Sequence, residues 1–102
     1  MKIEKAIASK LPNVDLENLS FGTVFTDHMF ICKYKSNSWQ EPQIIPYQSI
    51  SFEPSTSVFH YGQAVFEGMK AYKDDQNKIW LFRPLENFNR INRYTERLQI
   101  PK

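Results

Sequence analysis

The chain has 102 residues, of which 41% are hydrophobic and 15% aromatic, so it suits one small domain and is too apolar for a disordered segment. Its 13 basic and 11 acidic residues give a net charge of +2, which offers no reason to expect nucleic acid or a membrane as a partner. The single cysteine has no internal disulfide partner, and no apolar run approaches the length of a signal core or a membrane span. We therefore expect a cytoplasmic location.

The first third of the chain predicts a short helix and then a strand. Residues 1–10 place Ile3, Ala6 and Ile7 on one side of a helix that Pro12 would end. A connector follows, and the β-branched and aromatic side chains of residues 23–34 predict a strand. We expect the cysteine in this strand to be a small core residue.

The middle of the chain predicts short elements near prolines and glycines. Residues 43–46 and 50–52 read as extended pieces, and their neighbouring prolines favour sheet edges or loops. Residues 62–66 then predict one or two helical turns closed by Gly68.

The last third predicts a hairpin followed by a helix. Residues 69–73 and 78–82 form the two strands, with the polar residues 74–77 as the turn. Pro84 suits the first turn of a helix, and apolar residues then recur at helical spacing to residue 98.

Ordered motifs along most of the chain carry a family resemblance. They comprise Phe21-Gly22-Thr23-Val24-Phe25-Thr26-Asp27-His28-Met29-Phe30, His60-Tyr61-Gly62, Phe66-Glu67-Gly68-Met69-Lys70-Ala71-Tyr72, Leu81-Phe82-Arg83-Pro84, Asn87, Arg90 and Arg97-Leu98. In this order they resemble the N-terminal part of branched-chain amino-acid aminotransferases, which are fold-type IV enzymes that use pyridoxal 5′-phosphate. The resemblance runs from about Phe21 to Pro101.

The resemblance implies an α+β fold, with a small antiparallel β-sheet and flanking helices that is incomplete without a second domain. Residues 1–20 would be an N-terminal helix and connector, and residues 21–102 the small domain. In the family, the catalytic lysine lies in the second, larger domain. We therefore expect the chain to be a fragment that holds no catalytic residue and is inactive alone.

The resemblance also implies roles for four residues. Arg90 would bind the cofactor phosphate, because a guanidinium stays charged and its fork can meet two phosphate oxygens. Tyr61 and Phe66 would form the wall of the pocket for the substrate side chain, and Gly68 would let the backbone approach the ligand. Without the resemblance, a solvated arginine, two core aromatics and a plain turn glycine explain the same residues.

Other tempting residues have ordinary explanations. His60 and His28 read as hydrogen-bonded packing histidines, and two histidines and one cysteine far apart in sequence do not make a metal motif. Lys70 is not where the family places its Schiff-base lysine, so it reads as a strand residue.

The function that the resemblance implies is transfer of the amino group of leucine, isoleucine or valine to 2-oxoglutarate, within a homodimer or higher homo-oligomer. Two alternatives remain open. The chain could be a non-catalytic module that associates with itself through exposed apolar surface. It could also belong to a sister fold-type IV enzyme, such as a D-amino-acid aminotransferase.

Overall fold

A computed structural model describes all residues from 1 to 102, and the chain divides into two compact units, Met1–Ser51 and Phe52–Lys102. The boundary falls inside the region 21–102 that the sequence predicts as one domain. The elements of the chain are β1 (Lys2–Ile3), β2 (His28–Ile31), β3 (Tyr34–Lys35), β4 (Ser38–Trp39), β5 (Gln43–Pro46), α1 (Ser57–His60), β6 (Ala71–Lys73), β7 (Ile79–Leu81) and α2 (Pro84–Arg97), with a 3-10 turn at Leu11–Asn13. The fold is therefore a mixed α+β arrangement of small sheets and two helices.

The first unit is built on a three-stranded sheet in the order β1-β5-β2. Strand β2 runs antiparallel to β5, with His28 opposite Pro46 and Ile31 opposite Gln43, whereas β1 runs parallel to β5. The expectation of a purely antiparallel sheet is therefore corrected. The placement of residues 43–46 toward a sheet edge is also wrong, since β5 is the central strand and its proline stands at the end of the pairing.

The helix predicted for residues 1–10 is wrong. Residues Lys2 and Ile3 form a strand instead, because the backbone N–H groups of Lys2 and Glu4 donate to the carbonyls of Pro42 and Ile44 at 3.1 and 2.9 Å. A distant strand thus satisfies the backbone that an isolated helix would have bonded internally.

A two-residue hairpin joins β3 and β4. Ser36 and Asn37 both have positive φ, 52° and 58°, as a tight turn between twisted strands requires. The ring of Tyr34 meets that of Trp39 edge-on at 5.1 Å across the pair. Upstream of this hairpin, the strand predicted for residues 23–34 is shorter than expected, since β2 covers only four of those residues.

The second unit confirms the predicted hairpin and C-terminal helix. Strands β6 and β7 pair antiparallel, with Ala71 opposite Leu81, and α2 begins at Pro84 as predicted. The helix predicted for residues 62–66 is wrong. The only helix nearby is α1, which ends before Gly62, whose φ of +61° lies in the left-handed region and breaks any helix there.

Neither unit has a hydrophobic core in the usual sense. No hydrophobic residue is buried, and Thr95 is the one buried residue of the chain. The accessible surface is 9529 Å², whereas two separate folded bodies of half this mass would expose about 7,300 Å² together. The fold therefore leaves its apolar side chains uncovered.

Candidate functional site

The centre of the candidate site is an ion pair between Arg90 of α2 and Glu67 of the segment before β6. The Arg90 Nε atom donates to Glu67 Oε2 at 2.6 Å, and Arg90 Nη2 donates to Glu67 Oε1. The pair is bidentate, the geometry in which a guanidinium and a carboxylate bind most strongly. Glu67 itself is the least exposed ion-pair partner, with 9% of its side chain accessible.

Asn87 completes the arrangement from one helical turn before Arg90. Its Nδ2 group donates to Glu67 Oε1 at 2.9 Å and to the carbonyl oxygen of Gly68 at 2.9 Å. Residues three apart on a helix lie on the same face, so Asn87 and Arg90 reach the Glu67–Gly68 segment together. The helix thus fixes both the carboxylate and the backbone beside it.

These contacts set the charge state of the pair. Hydrogen bonds from Arg90, and then from Asn87, lower the pKa of Glu67 to about 2. The same bonds to Glu67 raise the pKa of Arg90 above its ordinary value. At any pH near neutrality the carboxylate is therefore ionised and the guanidinium is charged.

Arg90 and Asn87 also line a cleft of about 190 Å³, together with Phe82, Arg83 and Glu86. Arg83 is itself paired with Glu86 at 3.2 Å, and both side chains are well exposed. A cleft of this size has room for about six waters, which is enough for a phosphate-sized anion. Arg90 is the cation of this lining whose remaining hydrogen atoms could reach such an anion.

The structure does not bring Tyr61 and Phe66 to this cleft. Tyr61 is 86% exposed and lines a different, open depression of about 470 Å³ beside the end of α2. Phe66 is 87% exposed and directly precedes Glu67, but it does not line the cleft of Arg90. Neither ring is a core residue here, so both are available to a ligand or a further protein surface.

Gly68 contributes its carbonyl oxygen rather than a special conformation. Its φ lies outside the left-handed region, and a Cβ placed on it would meet nothing within 4 Å. The open space is compatible with close approach of a ligand. The turn or helix-ending role for this glycine is not what the backbone shows.

Both histidines are hydrogen-bonded, as the sequence predicts, although His60 is exposed rather than packed in a core. His60 Nε2 lies 2.6 Å from the carbonyl oxygen of Pro54, and His28 Nε2 accepts from the N–H of Ala6 at 2.9 Å. No group of residues in the chain could hold a metal ion. Cys32 is half-buried rather than part of a core, and its thiol lies 3.3 Å from the Gln40 carbonyl.

A larger cavity lies in the first unit and differs in character. It measures about 550 Å³, and half of its ten lining residues are aliphatic. Its carboxylate, Asp27, is engaged by Ser9 Oγ at 2.6 Å and by the N–H of Lys10 at 2.9 Å, and these bonds lower its pKa. We place the candidate site at Arg90, because Glu67 holds one edge of its guanidinium while the other edge is open and the side chain is 48% exposed.

Sequence reasoning missed the roles of Glu67 and Asn87. The sequence does contain a signal for Glu67, because this acidic residue directly follows the apolar run Ala64-Val65-Phe66. A carboxylate among apolar neighbours is stable when a cation pairs with it. What the sequence does not contain is the spatial approach of this segment to α2.

Comparison with known proteins gives a consistent set of relatives. No family model matches the chain, and no helix in it is long and apolar enough to cross a bilayer. The chain is 49% identical over 96 residues to branched-chain-amino-acid aminotransferase 2 of Bacillus subtilis (strain 168), covering 93% of this chain and 26% of that protein. It is 44% identical over 92 residues to the branched-chain-amino-acid aminotransferase of Helicobacter pylori (strain J99), covering 90% and 27%.

A third relative, the cytosolic branched-chain-amino-acid aminotransferase of Saccharomyces cerevisiae, is 46% identical over 84 residues, covering 81% of this chain and 22% of that protein. The chain therefore spans about a quarter of the length of the relatives it matches.

Proposed function

We propose that this chain, which is homologous to the N-terminal quarter of branched-chain-amino-acid aminotransferases, is the small domain of a transaminase that uses pyridoxal 5′-phosphate. The reaction moves the amino group of leucine, isoleucine or valine to 2-oxoglutarate. The cofactor, when bound, supplies the electron sink of this chemistry. The chain supplies a phosphate contact and a wall of the substrate pocket, and the lysine that exchanges protons belongs to a region outside these 102 residues.

The observation that carries the proposal is the state of Arg90. Its guanidinium is held in place by Glu67 through Nε and Nη2, so both Nη1 hydrogens and one Nη2 hydrogen are left to bind an acceptor. A positioned guanidinium with one free edge is suited to a phosphate group. A solvated arginine on a helix face, the ordinary alternative, would not be fixed in this way.

The two exposed aromatic rings support the second role. Tyr61 and Phe66 present nearly their whole surfaces, and burial of such rings against a branched aliphatic group removes apolar area from water on both sides. They would favour leucine-like side chains and exclude water from the reacting atoms. Gly68 is part of the same proposal as an open backbone position next to Glu67.

A chimaeric enzyme tests the proposal directly. In it, this chain replaces the aligned quarter of the Bacillus subtilis aminotransferase 2. We expect transamination of leucine, and a loss of cofactor affinity of about 10-fold or more in Arg90→Ala, because several charge-assisted hydrogen bonds disappear.

The matched control is Arg93→Ala, which removes the same side chain from an exposed position on the same helix. We expect it to change cofactor affinity by less than about twofold. A folded chimaera without transaminase activity, or an Arg90→Ala variant that binds the cofactor as tightly as the parent, would overturn the proposal.

A homo-oligomer is part of the proposal and is favoured by the uncovered apolar side chains. The same observation favours the second candidate, a non-catalytic module that associates with itself. Sedimentation of the chain alone distinguishes a self-associating chain from a monomer: a single monomeric species at high concentration argues against self-association.

A sister fold-type IV enzyme remains the third candidate, and activity of the chimaera on D-alanine but not leucine would favour it.

A cytoplasmic location is also proposed. The names of two relatives place one in the cytosol and another, from Schizosaccharomyces pombe, in mitochondria. Imaging of the tagged protein in its own cells decides the point.

A further inference from the structure

Glu67 differs from every other acidic partner of an ion pair in this chain. Its side chain is 9% accessible, whereas Glu41, Glu86 and Glu96 are 60 to 69% accessible in theirs. A carboxylate that is removed from water needs compensation, and Glu67 receives donors on both oxygens. The carboxylate therefore lies in a site formed by the donors of Arg90 and Asn87.

The geometry of the pair divides the guanidinium of Arg90 into two edges. One edge, Nε and Nη2, is occupied by the two oxygens of Glu67. The other edge, Nη1 and the second hydrogen of Nη2, points away from the carboxylate because the group is planar and rigid. Asn87 also donates to Glu67 Oε1, so three side chains rather than Arg90 alone set the direction of the free edge.

We propose that Glu67 is a positioning residue, which holds one edge of Arg90 so that the other edge is presented to the phosphate of the cofactor. This inference rests on the proposed function and adds to it a residue that never touches the cofactor. Asn87 acts with Glu67 by fixing its carboxylate and the adjacent Gly68 backbone.

A positioning role and simple electrostatic repulsion predict opposite effects of removing Glu67 on the affinity for the cofactor phosphate. A carboxylate next to a phosphate site repels the anion, so loss of its charge alone would strengthen binding. Loss of positioning weakens binding, because the long side chain of Arg90 regains its rotamers and must be ordered again by the phosphate. The direction of the change therefore identifies the role.

Three variants of the chimaeric enzyme test the inference, with pyridoxal 5′-phosphate and pyridoxal as the two probes. In Glu67→Gln the side-chain amide faces the donors of Arg90, so the bidentate pair is lost. Glu67→Asp keeps the negative charge but moves it away from Arg90 by the length of one methylene. We expect both variants to lower the affinity for pyridoxal 5′-phosphate about 10-fold and to change the affinity for pyridoxal by less than about twofold. In both variants the 31P resonance of the bound cofactor should also move toward its position in the free cofactor.

The comparison variant is Glu96→Gln, which removes an exposed carboxylate from the same helix, outside the cleft and without touching Arg90. We expect it to leave affinity for the phosphate unchanged. An unchanged or tighter cofactor complex in Glu67→Gln would overturn the inference, and so would equal losses for both probes, which indicate damage to the fold. If Arg90→Ala also has no effect, the proposed function fails as well; if Arg90→Ala weakens binding alone, only the inference about Glu67 fails.

Discussion

Truncation of Phe66 should separate an apolar pocket wall from a general structural role. The ring is 87% exposed, so about 170 Å² of a side chain that offers roughly 200 Å² is available to a ligand or partner. A leucine side chain would cover about half of that area, which at about 25 cal/mol per Å² is worth about 2 kcal/mol. We therefore expect Phe66→Ala to lower kcat/KM for leucine about 30-fold. Glutamate brings only two methylenes to the same wall, so its kcat/KM should fall no more than about fivefold.

The assay is each half-reaction of the chimaeric enzyme, followed by the change in cofactor absorbance with leucine or glutamate as the amino donor. Phe21→Ala is the control, because this ring is fully exposed in the first unit and carries no proposed role. It should affect the two substrates equally. Equal losses on leucine and glutamate in Phe66→Ala refute the reasoning, since a wall that contacts the side chain must distinguish between them.

Two further predictions concern the second unit. Gln99→Gly should stabilise the end of α2 by about 0.5–1 kcal/mol, because Gln99 has a φ of 52°, which glycine adopts without strain. At this position the N–H groups of Gln99 and of the next residue cap the helix. Thermal unfolding followed by circular dichroism measures the change in stability. Hydrogen bonds from the Trp80 indole and from backbone N–H groups lower the pKa of Asp74. The contribution of Asp74 to hairpin stability is therefore complete above the pKa of about 3.9 that it has in the unfolded chain, and it is lost as the pH falls below that value. The indole N–H resonance of Trp80 should report this loss.

Each of these predictions has a matched control. Gln99→Ala keeps a Cβ in the left-handed region and should give little of the gain; if it stabilises the chain as much as glycine does, the conformational argument is wrong. In Asp74→Asn the hairpin should already be weaker at pH 7, and the Trp80 resonance should no longer titrate in acid. A resonance that titrates with the same midpoint in this variant would show that another group is responsible.

The elements that the sequence predicted correctly are those whose signals are local. The turn at residues 74–77 carries its own acceptor, since Asp74 Oδ1 accepts from the N–H groups of Gln76 and Lys78 at 2.8 and 2.9 Å. Likewise α2 begins at Pro84, which suits a first turn, and it follows the stretch in which apolar residues recur at helical spacing. The helix predicted for residues 1–10 failed because its competitor is β5, some forty residues away, and no local pattern reports that pairing.

For the candidate site, the motif singles out Arg90 but not the residues around it, and the binding of a phosphate by Arg90 stays a prediction. The contact between Glu67 and α2 depends on a hairpin that folds the chain back over twenty residues, so its partners cannot be read from spacing. The exposure of Tyr61 and Phe66 rules out core aromatics, which were the alternative to a pocket wall. Their part in a pocket stays a prediction until the substrate assays are made.

The uncovered apolar side chains have a consequence for the life of the protein in a cell. A polypeptide that displays rings and aliphatic groups on its surface is a substrate for chaperones and for the proteases that remove orphaned subunits. When the chain is produced by itself, its abundance should therefore follow the supply of a surface that covers these groups rather than its own rate of synthesis. Overproduction of the chain alone should raise turnover, not concentration, and a pulse-chase measurement with and without the rest of an aminotransferase would display the difference.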